Sequence, residues 1–317
     1  DRRGFMKSAA AGFALAGLLA PQAHAQDRAA QSLIKMAKRA RIFDLSHTWD
    51  ENSPIAGVNP PYSMSLNATH ESTRGAFGDG GQLSFTSEVQ EWSGQAGAPN
   101  LDAIGHIGYN GELFGGVDAA AATSDPRGRG RSGIGAHLDI AHYPTELLVN
   151  RGVLLDVARY VNGNADPLPG AFAITREHLA ETARAQRVRI ERGDTVLIRT
   201  GWGHHFTEDP GLYAGDNAAG VGVSGAQFLI DAGARVVGND TLTFEVRPPI
   251  AFPPEVPAFQ VFPVHMLLIP QNGVAIIENY FLEEIAAAGE YEFLLVVPPI
   301  KVRGGTGSAL RSFALVP

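Results

Sequence analysis

The sequence predicts an α/β fold, and three observations carry that expectation. Short apolar runs rich in β-branched residues, such as Val153-Leu154-Leu155-Asp156-Val157 and Arg235–Gly238, alternate with segments of helical periodicity through the second half of the chain. Start and stop residues stand at the ends of those segments, with Thr175 before one and Gly233 after another. Hydrophobic residues are 44% and charged residues 18% of 317, so a chain of this length can bury a sizeable core.

The first 25 residues read as an export leader. Arg2-Arg3-Gly4-Phe5-Met6-Lys7 is a charged opening whose paired arginines resemble a twin-arginine signal. An apolar run from Ala9 to Ala20 follows, shorter than the ~20 residues of a bilayer span. Ala23-His24-Ala25 is a small-x-small cleavage signal. The expectation is removal of 1–25, one domain over 26–317, a periplasmic or secreted location, and no stable membrane span.

Further elements follow in order. Asp27 is positioned to cap a helix over about 28–40, with Leu33, Met36 and Ala37 on one face. From there to about 135 the chain is rich in Gly, Pro, Ser and Asn; Gln82–Val89 reads as a strand and Ala119–Gly133 as a flexible insertion. Thr175 caps a helix running to about Gln186, and Thr195–Thr200 is a strand entering Gly201-Trp202. Ser224 caps a helix that Gly233 ends, ahead of the strand Arg235–Gly238. Phe281–Ala288 reads as a short helix and Glu292–Val297 as a final strand.

Composition excludes several functions. Without residues 1–25 the chain holds 22 basic and 32 acidic residues, a poor balance for binding phosphate backbones, so nucleic acid is not an expected partner. The one basic cluster, Arg127, Arg129 and Arg131, reads as a solvated loop. With no cysteine there is no thiol nucleophile, thiolate metal site or disulfide. Of two G-x-G-x-x-G strings, Gly128–Gly133 lacks a flanking strand and helix, and Gly220–Gly225 opens a helix without a buried strand before it, so neither makes a dinucleotide site. No G-x-S-x-G elbow is present.

Two clusters carry possible chemistry. Asp102 and His106 are four apart, on one side of a turn, which offers a metal-ligating carboxylate and a general base near one water. Phe262-Pro263-Val264-His265 and, further on, Glu278 supply an imidazole nitrogen and a carboxylate oxygen, a mixed set suited to zinc or manganese. Spacing alone leaves structural roles open for each. Trp92, Phe244 and Trp202 are candidates for an aromatic pocket, with Gln95 as a polar contact and His204-His205 at the substrate rim.

The segment Leu101–Gly116, with Asp102-Ala103-Ile104-Gly105-His106 and Tyr109-Asn110-Gly111, resembles the signature region of the putative cyclase family, the kynurenine formamidase and isatin hydrolase type. The resemblance extends through Arg151–Asp156, Gly193–Trp202, Gly238-Asn239-Asp240, Phe262–His265 and Gly304–Ser308 in the same order. It implies a mixed sheet with flanking helices, a homodimer or homotetramer, and metal-assisted hydrolysis of amide-like bonds. The family pattern H-x-G-T-H-x-D-x-P-x-H is degenerate here: Asp102 and His106 match, whereas Asn100, Pro99 and Ile104 replace the second histidine, the threonine and the proline. The first histidine falls near Ala96, beside Gln95. With those departures, the resemblance implies one divalent cation, zinc or manganese, on Asp102, His265 and Glu278, with Asn100 or Gln95 a weaker oxygen ligand and His106 the base. The expected activity is hydrolysis of an amide, lactam or lactone in a small substrate, aromatic ones included. A non-catalytic periplasmic ligand-binding protein and a metal-dependent lyase or dehydratase remain open alternatives.

Overall fold

A computed structural model describes residues 29–57, 59–95, 97, 99–124, 138–248 and 262–317. The leader, the Asp27 cap and both Ala96 and the Gly128–Gly133 string lie outside the described residues. The chain forms two compact units, residues 1–42 with 315–317, and Phe43–Ala314. Of the smaller unit, a helix is described over 29–39. The larger unit holds almost all of the region expected to be one domain.

Seven strands of the main sheet lie wholly within the larger unit: β1 (Asn100–Asp102), β2 (Val149–Asp156), β3 (Thr195–Arg199), β4 (Val236–Asn239), β5 (Ala275–Glu278), β6 (Glu292–Val296) and β7 (Gly307–Ala309). Their order is β6-β2-β3-β4-β5-β1-β7. β2, β3, β4 and β5 run parallel, while β6, β1 and β7 pair antiparallel at the two sides. The sheet is therefore mixed, as expected. Parallel strands need crossover connections, and the helices α1 (Arg176–Gln186), α2 (Val223–Ala232) and α3 (Pro263–Asn272) occupy the crossovers. Successive side chains of a strand alternate between faces. Val153, Leu155, Val196, Ile198, Val237 and Ile276 share one buried cluster with Leu179 of α1, Ala226 and Leu229 of α2, and Val264, Leu268 and Ile269 of α3. The three helices thus cover one face of the sheet.

Local chemistry explains most of the boundaries. Thr175 Oγ1 accepts from the backbone N–H of His178, the N-cap expected for α1. Gly233 ends α2 at φ +83, where a side chain would be strained. Ser224 is not the cap of α2: Gly222 holds that position, and Ser224 lies inside the helix, its hydroxyl accepting from the N–H of Arg176 at 3.4 Å. Residues 82–86 form no strand; the strand is Ser87–Glu91, paired with Ser63–Ala68. Ala119–Thr123, expected as insertion, is a short helix because Asp118 accepts from the Ala121 N–H at its start. His204 and His205, expected in a loop, lie in a 3-10 turn over Trp202–His204 and a short helix over His205–Glu208. No helix among the described residues is long and apolar enough to cross a membrane.

Candidate metal centre

Sheet register assembles the centre. In the antiparallel pair β5–β1, Glu278 stands opposite Asn100 and Ile276 opposite Asp102. Glu278 shares its face with Ile276, two residues earlier, and Asp102 shares its face with Asn100, so all three polar side chains emerge on the helix-covered face. α3 brings the fourth group. His265 shares the stripe of Leu268 and Ile269, three and four residues on, which the core buries, and so the ring is carried down to the sheet.

The result is a buried cluster. Asp102 is 1%, Glu278 2% and His265 4% exposed, and one ligand atom from each lies within 4.8 Å of the others. His265 Nε2 is 3.3 Å from Glu278 Oε1 and 3.8 Å from Asp102 Oδ2. Asn100 Nδ2 reaches the other oxygens, Asp102 Oδ1 and Glu278 Oε2, at 3.3 Å each. Burial raises the Asp102 carboxyl to about 6; His106 and His265 oppose that shift and Glu278 adds to it. Burial would lower the His265 imidazole, but hydrogen bonds to Glu245 and Glu278 outweigh it and raise it to about 10. Glu245 and Glu278 beside the ring thus favour its protonated form.

Glu245 is a residue that spacing did not reveal. Its Oε2 accepts from His265 Nδ1 at 2.7 Å and from the His265 backbone N–H at 3.0 Å. The sequence signal for it is a charged residue inside the otherwise uncharged run Thr241-Leu242-Thr243-Phe244-Glu245-Val246. The donors fit a hard or borderline divalent cation: two carboxylate oxygens converge with an imidazole nitrogen, and Glu245 ties up Nδ1 so that Nε2 is left to bind.

A cavity of about 250 Å³ opens onto the cluster, lined by Ala56, Asn59, Gln95, Asp102, His106, Ile107, Thr243, Phe262, His265 and Glu278. His106 sits on the turn after β1, its backbone N–H donating to the Ala103 carbonyl, and its Nε2 is 3.8 Å from Asp102 Oδ2. Gln95 Nε2 donates to Thr306 Oγ1 at 2.8 Å. Gly307 permits that approach, since a Cβ there would lie 2.5 Å from Gln95 Nε2. Three residues expected to contact substrate do not line this cavity. Trp202 is 2% exposed, belongs to the core and donates Nε1–H to the Leu168 carbonyl. His204 is exposed and paired with Glu208 at 2.9 Å. Trp92 is 40% exposed, just past the strand Ser87–Glu91. Phe244 is also fully buried in the core. Asn100 points its amide nitrogen, not its oxygen, at the carboxylates; the oxygen accepts from Asn279 Nδ2 at 3.0 Å, so it is no oxygen ligand in this arrangement.

The family model described as putative cyclase matches residues 43–246. The chain belongs to the cyclase family. Isatin hydrolase from Roseibium aggregatum is 27% identical over 165 residues, 48% of this cyclase-family chain and 55% of the relative, so the match spans about half of that relative's length. A solved cyclase structure is 26% identical, covers 89% of each chain and superposes with a TM-score of 0.72. Isatin hydrolase A from Labrenzia aggregata, bound to benzyl benzoate, is 22% identical with a TM-score of 0.64, covering 92% of this chain and 99% of its own. A predicted metal-dependent hydrolase from Bacillus stearothermophilus shares the fold at 19% identity and TM-score 0.54, covering 87% of this chain and 98% of its own. The cyclase-family chain therefore shares the fold of the solved cyclase and isatin hydrolase structures, and its fold class is the mixed α/β type expected.

Proposed function

We propose that this protein is a metal-dependent hydrolase that opens a non-peptide C–N or C–O bond, in an amide, lactam or lactone, within a small substrate. The observation that carries the reading is the convergence of Asp102, Glu278 and His265 within 4.8 Å at the floor of a cavity that also presents His106. One divalent cation, zinc or manganese, would be held by these three side chains and would polarise a substrate carbonyl and acidify water.

The remaining steps belong to protein groups. Glu245 fixes the His265 ring so that Nε2 faces the carboxylates. His106 takes the proton of the attacking water as its oxygen bonds to the carbonyl carbon, then returns that proton to the nitrogen or oxygen that leaves. Ala56, Ile107 and Phe262 offer an apolar wall for a ring, and Asn59, Gln95 and Thr243 are neutral polar contacts. The relatives direct the first substrates tried to aryl lactams such as isatin.

The test is metal analysis of the purified protein followed by turnover of lactams, aryl amides and lactones. A protein that retains no divalent cation, or a metal-loaded protein that hydrolyses none of them, sinks this reading. A homodimer or homotetramer is part of the proposal. Its support is the paired strands Ser63–Ala68 and Ser87–Glu91, one face of which leaves Met64 58% and Leu66 55% exposed, where a two-stranded ribbon needs cover. Light scattering that gives a monomer refutes it. The leader reading joins the proposal too: exported protein should begin at Gln26 on N-terminal sequencing, and retained Arg2-Arg3 contradicts it.

A further inference from the structure

Asn100 is 1% exposed and stands between the two carboxylates of the centre. Its amide nitrogen has two protons, and two acceptors meet it: Asp102 Oδ1 and Glu278 Oε2, both at 3.3 Å. Its oxygen is held from behind by Asn279 Nδ2 at 3.0 Å, and Asn279 Oδ1 in turn accepts from Tyr213 Oη at 2.8 Å. Asn279 is fully buried, and Tyr213 is fully buried as well. The Tyr213 hydroxyl has one proton for two acceptors, Asn279 Oδ1 and the Asp240 carbonyl at 3.2 Å, so the orientation of the Asn100 amide, nitrogen toward the carboxylates, rests on the two carboxylate oxygens that only its N–H groups can satisfy. Each carboxylate is therefore divided. One oxygen serves Asn100, and the other, Asp102 Oδ2 or Glu278 Oε1, faces His265 Nε2.

We propose that Asn100 is a positioning residue that limits the centre to one cation, because its N–H groups stand as the positive partner on the side of the carboxylates away from His265. The inference rests on the metal reading above. An amide nitrogen has no lone pair for a cation, and here it repels one. It also holds each carboxylate to a single oxygen on the His265 side, so the cation meets two carboxylate oxygens and one nitrogen in a fixed array. Sheet register makes the arrangement rigid, since Asn100 is the direct cross-strand neighbour of Glu278. Replacing the amide by a carboxylate removes both N–H groups and sets three carboxylates together, a site that calls for a second cation.

The experiment titrates metal-free, full-chain protein with manganese chloride at pH 8, reading stoichiometry by calorimetry and the spectrum by electron paramagnetic resonance. Wild type should bind one manganese per chain with the spectrum of an isolated ion. Asn100→Asp should bind two, with the signature of coupled ions. Asn100→Ala should keep its one ion with affinity down about 10- to 100-fold, the usual worth of a group that orients ligands, whereas His265→Ala, lacking a ligand, should fall below that range. Two manganese ions in wild type, one isolated ion in Asn100→Asp, or metal loss in Asn100→Ala as deep as in His265→Ala overturns the inference while leaving the metal reading standing. No metal in wild type overturns both. The wild-type stoichiometry is read without any variant, so a misfolded Asn100→Ala does not shield the proposal.

Discussion

Glu245 grips His265 twice, through Nδ1 at 2.7 Å and through the backbone N–H at 3.0 Å, although 20 residues separate them. One carboxylate oxygen thus sets both the tautomer of the ring and the start of the helix that carries it. Glu245→Gln removes the negative charge but keeps the shape. It should weaken metal binding about 10- to 100-fold, the usual worth of such a partner, with the secondary structure unchanged. Calorimetry with zinc or manganese measures this. Undiminished affinity would show that the ring needs no support.

Metal removal should be coupled to protons. In the metal-free protein His265, held up by Glu245 and Glu278 against the effect of burial, keeps its proton to about pH 10, and Asp102, raised by burial, keeps its own to about pH 6. A cation must displace whatever protons are there. Between those values one proton leaves per cation bound, so affinity should rise about tenfold per pH unit, and below about pH 6 the slope should approach two protons. Competition against a chelator at several pH values reads the slope directly. An affinity flat with pH from 6.5 to 8.5 contradicts the proton on His265.

His106 separates turnover from metal binding. It touches the cavity and lies 3.8 Å from Asp102, yet it is not among the three groups whose ligand atoms converge. His106→Ala should therefore keep its metal and fold while turnover falls about 10²–10⁴-fold. If the variant loses metal in proportion to rate, His106 is a ligand. If it turns over at the parent rate, another group takes the proton.

Stability should depend on a buried ion cluster remote from these ligands. Arg199, 2% exposed on β3, donates to Asp156 at 2.9 Å, to Glu283 at 2.6 Å and to the Ala165 carbonyl at 2.7 Å. Asp156 also caps the helix Val157–Asn162. Arg199→Ala leaves Glu283 without its cation and Asp156 with Arg159 alone, at 3.1 Å, and should cost about 3 kcal/mol. Urea unfolding checks it, and a loss below about 1 kcal/mol would place the cluster among pairs that merely offset their own desolvation.

Short-range chemistry made much of the fold legible in the sequence. The Thr175 cap, the Gly233 stop and the apolar runs of β2, β3 and β4 are decided within a few residues, and they appear where the pattern put them. Errors arose where a neighbour far along the chain outranked local preference. Ser224 has the right chemistry for a cap, but its hydroxyl faces Arg176 of another helix. Trp202 has the right chemistry for a substrate wall, but the Leu168 carbonyl and the core claim it.

The candidate centre divides in the same way. Asp102, His265, Glu278 and His106 were readable as residue types whose order resembles a family, because donor chemistry is carried by each side chain alone. Tertiary structure decided that three of them meet, since only the β5–β1 register places Glu278 beside Asn100 and Asp102, and only the packing of α3 lowers His265 onto them. It also decided the parts that no spacing encodes. Glu245 becomes a partner of His265 through a contact across 20 residues, and Asn100 becomes a donor because only its N–H groups can satisfy the two carboxylate oxygens that meet it. A sequence lists which groups are able to bind, whereas the direction in which an amide or an imidazole points is fixed by neighbours brought together in folding.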